Sequence, residues 1–326
     1  MNLSSDQYDV IIAGQGAAAF AAALYAARYQ MRAVVIGDTF GGETAIGGEI
    51  ENYPGFESID GFDLMMNMKR QVEKYGIPIV DGRVEGISMD QECFEATTTR
   101  GVYQGTTVIL AVGRERRKLG LPHEEEWTGR GVSYCATCDA PLYRGKVAAV
   151  VGGGSAAVEG AVLLGKYATK TYIIYRGQAF TRPEPVSVRL MEESPTVEML
   201  LETSVTELVG DDGLGLKSIV LDRPHDGSKE LTLDGLFIEI GADPRVELPR
   251  QLGVELTEES EVAVDKLMRT NVPGVFAAGD LTNGSGHLKQ TITAAAQGAI
   301  AATSAYEYAS EHHNACDLHA VGYEVA

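Results

Sequence analysis

The stretch Val132–Tyr143, "VSYCATCDAPLY", sets two thiols, Cys135 and Cys138, two residues apart, with an acid, Asp139, directly behind them. Such a pair takes up two electrons as a dithiol and returns them as a disulfide, so it is a relay between a reductant and an acceptor. Asp139 is the candidate proton donor and acceptor for the thiolate the relay releases. A capping carboxylate for the following turn is the competing reading. Half of a zinc site is the other use of a close Cys pair, but it needs a second such pair. Cys93 and Cys316 are expected to stand isolated from each other and from the first pair, with Cys316 a spare surface thiol. Four cysteines in 326 residues are too few for a disulfide scaffold.

A relay must be held against a source of electrons, and two segments have the pattern to bind one. "YDVIIAGQGAAAFAAALYAARYQMRAVVIGD" reads as a strand, a tight turn, an Ala-rich helix and a second strand. In its Gly14-x-Gly16-x-x-Ala19 fingerprint, Gly14 permits the turn, Gly16 admits a pyrophosphate, and Ala19 lets helix and strand pack. Ala17 and Ala18 open the helix, whose free N–H groups face the phosphates. Asp38, ending the second strand, is placed to accept from a ribose hydroxyl. "GKVAAVVGGGSAAVEGAVLLGKYATKTYIIYRG" repeats the plan with Gly152, Gly154 and Ala157.

Composition breaks at "GRERRKLGLP" and "EIGADPRVELP" bound the second unit. The expected fold class is α/β, with two Rossmann-like doubly wound dinucleotide-binding domains, the first discontinuous and the second inserted in it. The expected limits are 1–115 with 246–326 for the first and 116–245 for the second.

A net charge of −19, from 27 basic and 46 acidic residues, argues against nucleic acid, whose phosphates would be repelled. The start, "MNLSSDQYDV", has no basic region followed by an apolar core, and no apolar run reaches the ~20 residues of a membrane span. A cytoplasmic enzyme without a membrane partner is the expectation.

Taken in order, "GGETAIGGEIENYPG", "AVG", "GVSYCATCD", the two Gly fingerprints, "IGADP" and "GVFAAGD" resemble the low-molecular-weight thioredoxin reductases from Tyr8 to about Tyr308. The resemblance implies FAD in the first domain, thioredoxin as substrate and a homodimer. It also implies a second domain that turns Cys135 and Cys138 alternately to flavin and thioredoxin, leaving open which sulfur meets which. By matching motif it assigns Asn52, Ala111, Gly113, Gly279 and Asp280 to the FAD site, Asp280 accepting from ribityl hydroxyls. Lys289-Gln290-Thr291 stands where the family has Arg-Gln-Ala near the pyrophosphate and flavin edge, and Glu43 stands in place of a Gln.

The second unit departs from the family. NADPH-using members resemble one another in a His-Arg-Arg stretch, closely followed by another Arg, that gathers cations on the 2′-phosphate. Here the stretch is "YRGQAFTR": Tyr175 and Gly177 replace two of these groups, Thr181 falls at the third, and Arg182 comes one place late. Ala242 replaces a further His. Losing two charge-assisted hydrogen bonds weakens binding by ~3–6 kcal/mol, unless Arg182 swings back. The tail "HHNACDLHAVGYEVA" is an addition, and its Tyr323 is a candidate to stack on flavin where nicotinamide would lie.

These departures resemble the pyridine-nucleotide-independent branch, the ferredoxin-dependent flavin thioredoxin reductases. Arg114, Arg116, Arg117 and Lys118 are the matching candidate for a basic patch that docks an acidic ferredoxin, against a plain solvated hinge. The expected function is reduction of thioredoxin through FAD and the Cys135–Cys138 disulfide, with electrons from reduced ferredoxin. The alternatives are an NADPH-dependent reductase with a shifted phosphate site, a reductase holding NADH or a second FAD, and a flavin redox sensor without catalysis.

Overall fold

Val10, Ile11, Ile12 and Ala13 are completely buried, as are Val34, Val35 and Ile36. Apolar runs without alternation are what a parallel strand needs when helices cover both of its faces. In the computed structural model, which describes residues 7–46, 49–90, 93–180, 183–211, 213–312 and 316, these runs form the centre of a seven-stranded sheet. Its order is Ile79–Asp81, Ala33–Gly37, Gln7–Ala13, Gly101–Leu110, Cys93–Thr98, Val84–Asp90, with Val275–Ala277 also paired to Gly101–Leu110. The pairs about Gln7–Ala13 are parallel, whereas Val84–Asp90 and Cys93–Thr98 form an antiparallel hairpin. The chain divides into two compact units, Met1–Glu115 with Pro244–Ala326, and Arg116–Asp243.

In the first unit, the Ala-rich helix Ala17–Arg28 and the last helix, Thr291–Glu311, pack on one face of the sheet through Ala17–Ala19, Phe20, Ala22, Ala301, Ala302 and Ala305. Small residues bring the two backbones together. A Cβ added to Gly298 would lie 2.0 Å from the carbonyl oxygen of Ala18. The other face is covered by Val246, Leu248, Val254 and Val262 from the returning chain.

The second unit carries a five-stranded parallel sheet in the order Val132–Ser133, Gly235–Ile238, Val147–Val151, Lys170–Tyr175, Val197–Leu201. An antiparallel ribbon of Val205–Asp211, Gly215–His225 and Ser228–Thr232 completes it. The expected α/β class with two Rossmann-like units is the observed one. No helix among the described residues is long and apolar enough to cross a membrane.

The Gly298 contact generates a prediction. Gly298→Ala must push two helix backbones apart, an overpacking that costs ~1–3 kcal/mol. In a unit of this size the melting temperature falls by about 2–10 °C, measured calorimetrically on the flavin-loaded protein.

Candidate functional site

The thiol pair sits on one helical turn, Ala136–Asp139, capped by Cys135, whose Sγ accepts from the Cys138 amide at 3.1 Å. Cys135 and Cys138 form a disulfide with Cα atoms 5.3 Å apart, and Cys138 is exposed. Ala136 can seat so deeply because Gly160, in the helix behind, has no side chain: a Cβ there would come within 2.9 Å of the Ala136 Cβ. Asp139 caps no turn with its side chain. Instead its Oδ2 accepts from Ser133 Oγ at 2.7 Å, and Ser133 Oγ accepts from the Cys135 amide at 3.1 Å. Burial and the nearby Asp139 and Asp234 carboxylates raise the pKa of Tyr143. Ser133 thus fixes Asp139 at the end of the thiol turn.

Two carboxylates that sequence reasoning missed hold this segment. Buried Glu124 accepts from the amides of Leu119, Gly120 and Leu121 at 2.8, 2.7 and 3.1 Å and from the Tyr134 hydroxyl at 2.6 Å. Glu239, just past the strand Gly235–Ile238, accepts from the Ala136 amide at 3.4 Å and pairs with Arg116 at 3.2 Å. Glu239 acts on residues that the fold brings to it from 103 and 123 positions away, whereas Glu124 takes amides three to five positions before it and a hydroxyl ten positions on.

In the first unit, Gly14 adopts φ +126°, and a Cβ on it would meet the Ala111 carbonyl oxygen at 2.2 Å. That contact joins two of the expected FAD residues. Gly16 caps the helix, with Ala17 and Ala18 buried behind it, and a Cβ on Gly16 meets nothing within 4 Å. Gly113 is similarly open, at φ +67°. Asp38 lines a cavity of about 500 Å³ with Asp81, Gly82, Arg83, Thr99 and Arg100. The Gln15 amide donates to Gly37 O and Asp81 Oδ1, while its buried Oε1 has no hydrogen-bond partner. The open Gly16 turn at the helix N-terminus offers N–H groups to the phosphates of a dinucleotide, and the carboxylate of Asp38 can accept from its ribose hydroxyls.

Close to the same turn, Gly279, at φ +82°, lies over Ala18, and its amide donates to Gln297 Oε1 at 2.7 Å. Gln297, from the last helix, therefore sets the Gly279-Asp280 turn, a role no motif signals. Burial raises the pKa of Asp280; Arg114 and Lys289 oppose that shift, whereas Glu43 and Glu261 reinforce it. Thr44 and Thr291 hydroxyls meet at 3.0 Å, and Asn52 donates to Gln290 Oε1 at 3.2 Å, so Glu43's helical turn, Asn52, Gln290 and Thr291 are neighbours. Gln290 also caps the last helix.

Four expectations need correction or lie outside the described residues. Lys289, expected near the pyrophosphate and flavin edge, pairs its ammonium with Glu261 at 2.9 Å. The basic run is not a patch of net positive charge: Arg114 pairs with Glu261, Arg116 with Glu239, Arg117 with Asp243 and Lys118 with Glu125. Cys93 and Cys316 are not isolated; they form a disulfide across 223 positions, with both residues buried. Tyr323, Thr181 and Arg182 lie outside the described residues.

The second Gly turn differs from the first. Gly152, at φ +151°, again approaches a carbonyl oxygen, that of Glu239, at 2.1 Å from an added Cβ. Here, however, the Tyr175 ring lies on the turn: a Cβ on Gly153 would be 2.2 Å from the ring, and one on Gly177 2.6 Å. Phe180 stacks on Tyr175 with centroids 5.3 Å apart. Burial, Glu184 and Glu239 raise the pKa of Glu159, in the helix that follows the turn. Aromatic rings and grouped carboxylates thus stand at this turn.

The pyridine nucleotide-disulphide oxidoreductase family model matches residues 8–298. A thioredoxin reductase of Listeria innocua is 36% identical over 315 residues, covering 96% of this chain and 97% of its own. The crystal structure of Lactococcus lactis thioredoxin reductase in its FR conformation has a TM-score of 0.87 and 35% identity, covering 93% of this chain and 99% of that one. A ferredoxin-flavin thioredoxin reductase from Clostridium acetobutylicum has a TM-score of 0.50 and 32% identity, covering 94% and 99%.

The Ser133–Asp139 arrangement predicts a graded loss. Asp139→Asn slows thiol exchange at Cys135–Cys138 by ~10²–10⁴-fold, the range of a general acid–base group. Ser133→Ala, which removes one hydrogen bond to the carboxylate, slows it about tenfold. Stopped-flow measurement of dithiol oxidation checks both, and an unchanged rate in Asp139→Asn means that the proton travels by another group.

Proposed function

The chain belongs to the pyridine nucleotide-disulphide oxidoreductases, as a thioredoxin reductase-type flavin disulfide oxidoreductase, and we propose that its electron donor is a reduced ferredoxin instead of NADPH. The observation that carries the donor assignment is Tyr175, whose ring occupies the approach to Gly153 where a dinucleotide would meet the turn. Gly177 and Thr181 in the places of two family cations, and the carboxylates Glu159, Glu184 and Glu239, add to it, because a 2′-phosphate and a pyrophosphate both need positive surroundings.

FAD is the cofactor, held through Gly14, Gly16, Ala17, Ala18, Asp38, Asn52, Ala111, Gly113, Gly279 and Asp280, with Glu43, Gln290 and Thr291 beside it. When bound, it supplies a carrier that accepts electrons singly or in pairs, which suits a one-electron protein donor. Reduction of Cys135–Cys138 needs two electrons and yields a dithiol. That dithiol reduces the disulfide of thioredoxin by exchange, and the pair closes again. Ser133 keeps Asp139 Oδ2 occupied, leaving Oδ1 to give and take the proton of the released thiolate. Arg114, Arg116, Arg117 and Lys118 each pair with a carboxylate, which lowers the positive charge that this run offers an acidic ferredoxin.

A second reading, an NADPH-dependent reductase, is favoured by the retained turn, since Gly152 keeps its form and a Cβ on Gly154 would meet nothing within 4 Å. Anaerobic mixing separates the two. Reduced ferredoxin bleaches the flavin, and NADPH at the same concentration acts more slowly by a hundredfold or more, as two missing phosphate contacts imply (~3–6 kcal/mol). Equally rapid bleaching by NADPH assigns the second reading. Cys135→Ser and Cys138→Ser each retain flavin and lose thioredoxin reduction, measured with dithionite as the electron source; turnover in either variant removes the disulfide from the path.

A further inference from the structure

We propose that Cys93 and Cys316 form a second redox site, a disulfide clasp that fastens the chain at Cys316 to the sheet of the first unit while oxidised and releases it when a dithiol reduces it. The two residues lie 223 positions apart with Cα atoms 4.9 Å from each other, inside the span that a disulfide bridges. Cys93 begins a strand of the sheet hairpin and pairs in register with Asp90. Cys316 lies beyond the last helix, which ends at Glu311 and is closed by His312 stacking on Tyr308 at 4.0 Å. Beyond that closure, the described chain is held by the disulfide and by one hydrogen bond, Gln7 Nε2 to the Cys316 carbonyl at 3.3 Å.

The clasp does not belong to the Cys135–Cys138 relay. Cys93 and Cys316 both lie in the first unit, and the relay pair in the second. The last helix separates Cys316 from Gln290 and Thr291, and its 21 residues span about 30 Å. Its chemistry is therefore exchange with an external dithiol. One thiolate of the dithiol attacks a clasp sulfur to give a mixed disulfide and expel the other clasp cysteine as a thiolate, which takes up a proton. The second thiol of the dithiol then displaces the remaining clasp sulfur, which also ends as a thiol. The clasp gains two electrons and two protons, and the dithiol leaves as a disulfide.

Burial orders the two sites. Cys93 and Cys316 are 3% and 4% exposed, so attack must wait for a local opening, whereas Cys138 is open to solvent. A brief supply of dithiol reaches the relay pair alone, and a sustained supply opens the clasp as well. Reduced thioredoxin is a dithiol of this class; naming it rests on the function proposed above, but the clasp itself does not.

The test uses the full-length, flavin-loaded protein with dithiothreitol as the probe, acid quenching, differential alkylation and peptide mapping. As purified in air, Cys93 and Cys316 are recovered as one linked peptide pair, and that link survives at least about tenfold longer in dithiothreitol than the Cys135–Cys138 link. Opening it raises the rate at which carboxypeptidase Y digestion passes position 316 by about tenfold or more, because the cross-linked residue blocks the exopeptidase and the released one does not. Cys316→Ser and Cys93→Ser are digested at the released rate without reductant. Free Cys93 and Cys316 in air-oxidised protein overturn the proposal, as does digestion that is indifferent both to reduction of the wild type and to either substitution. Neither readout involves thioredoxin, ferredoxin or NADPH, so an error in the donor leaves the result interpretable.

Discussion

The close approach of a glycine to a carbonyl oxygen organises both units. At Gly14 the oxygen belongs to Ala111, and at Gly152 to Glu239; in each case a side chain would overlap it, at 2.2 and 2.1 Å. This contact brings the first strand of a βαβ unit against the end of a strand far along the chain, and so aims the helix N-terminus at one edge of the sheet. Everything the sites contain is placed relative to that turn. Asp38 and the Asp81–Arg83 segment lie beside the first turn, and the Cys135–Cys138 segment and Glu239 lie beside the second.

From this shared turn the two units diverge in the side chains that surround it. The first leaves Gly16 open at the helix N-terminus, the condition of a turn that can receive a phosphate. The second covers Gly153 with the ring of Tyr175 and braces that ring with Phe180. A retained glycine pattern therefore says that the turn forms, not that a nucleotide enters it, because the glycines serve the backbone contact whether or not a phosphate follows.

Charge follows the same logic. The run from Arg114 to Lys118 is basic as a string of letters, but folding gives every one of its cations a carboxylate. For Arg114 and Arg116, whose side chains are 22% and 23% exposed, such pairing offsets the cost of partial burial. Arg116 becomes the counterion of Glu239, which in turn holds the Ala136 amide. A segment that reads as a docking surface is thereby part of what steadies the thiol turn.

The sequence by itself determined the features that local spacing encodes: the α/β class, the repeated βαβ pattern, the Cys-x-x-Cys pair with its acid, and the family to which their order belongs. These are legible because strand, turn and helix propensities act over a few residues, and because a Gly-x-Gly or Cys-x-x-Cys spacing has few physical uses. The gathering of Asn52, Gln290 and Thr291 was legible only through the family's motifs. What the tertiary structure decided were the long-range pairings. Gln297 reaches back to Gly279, Tyr175 folds onto Gly153, and Cys93 finds Cys316. No spacing rule predicts such partners, since sheet order and the return of the last helix bring them together, and a chain of this length allows many equally plausible pairings until the core has chosen one.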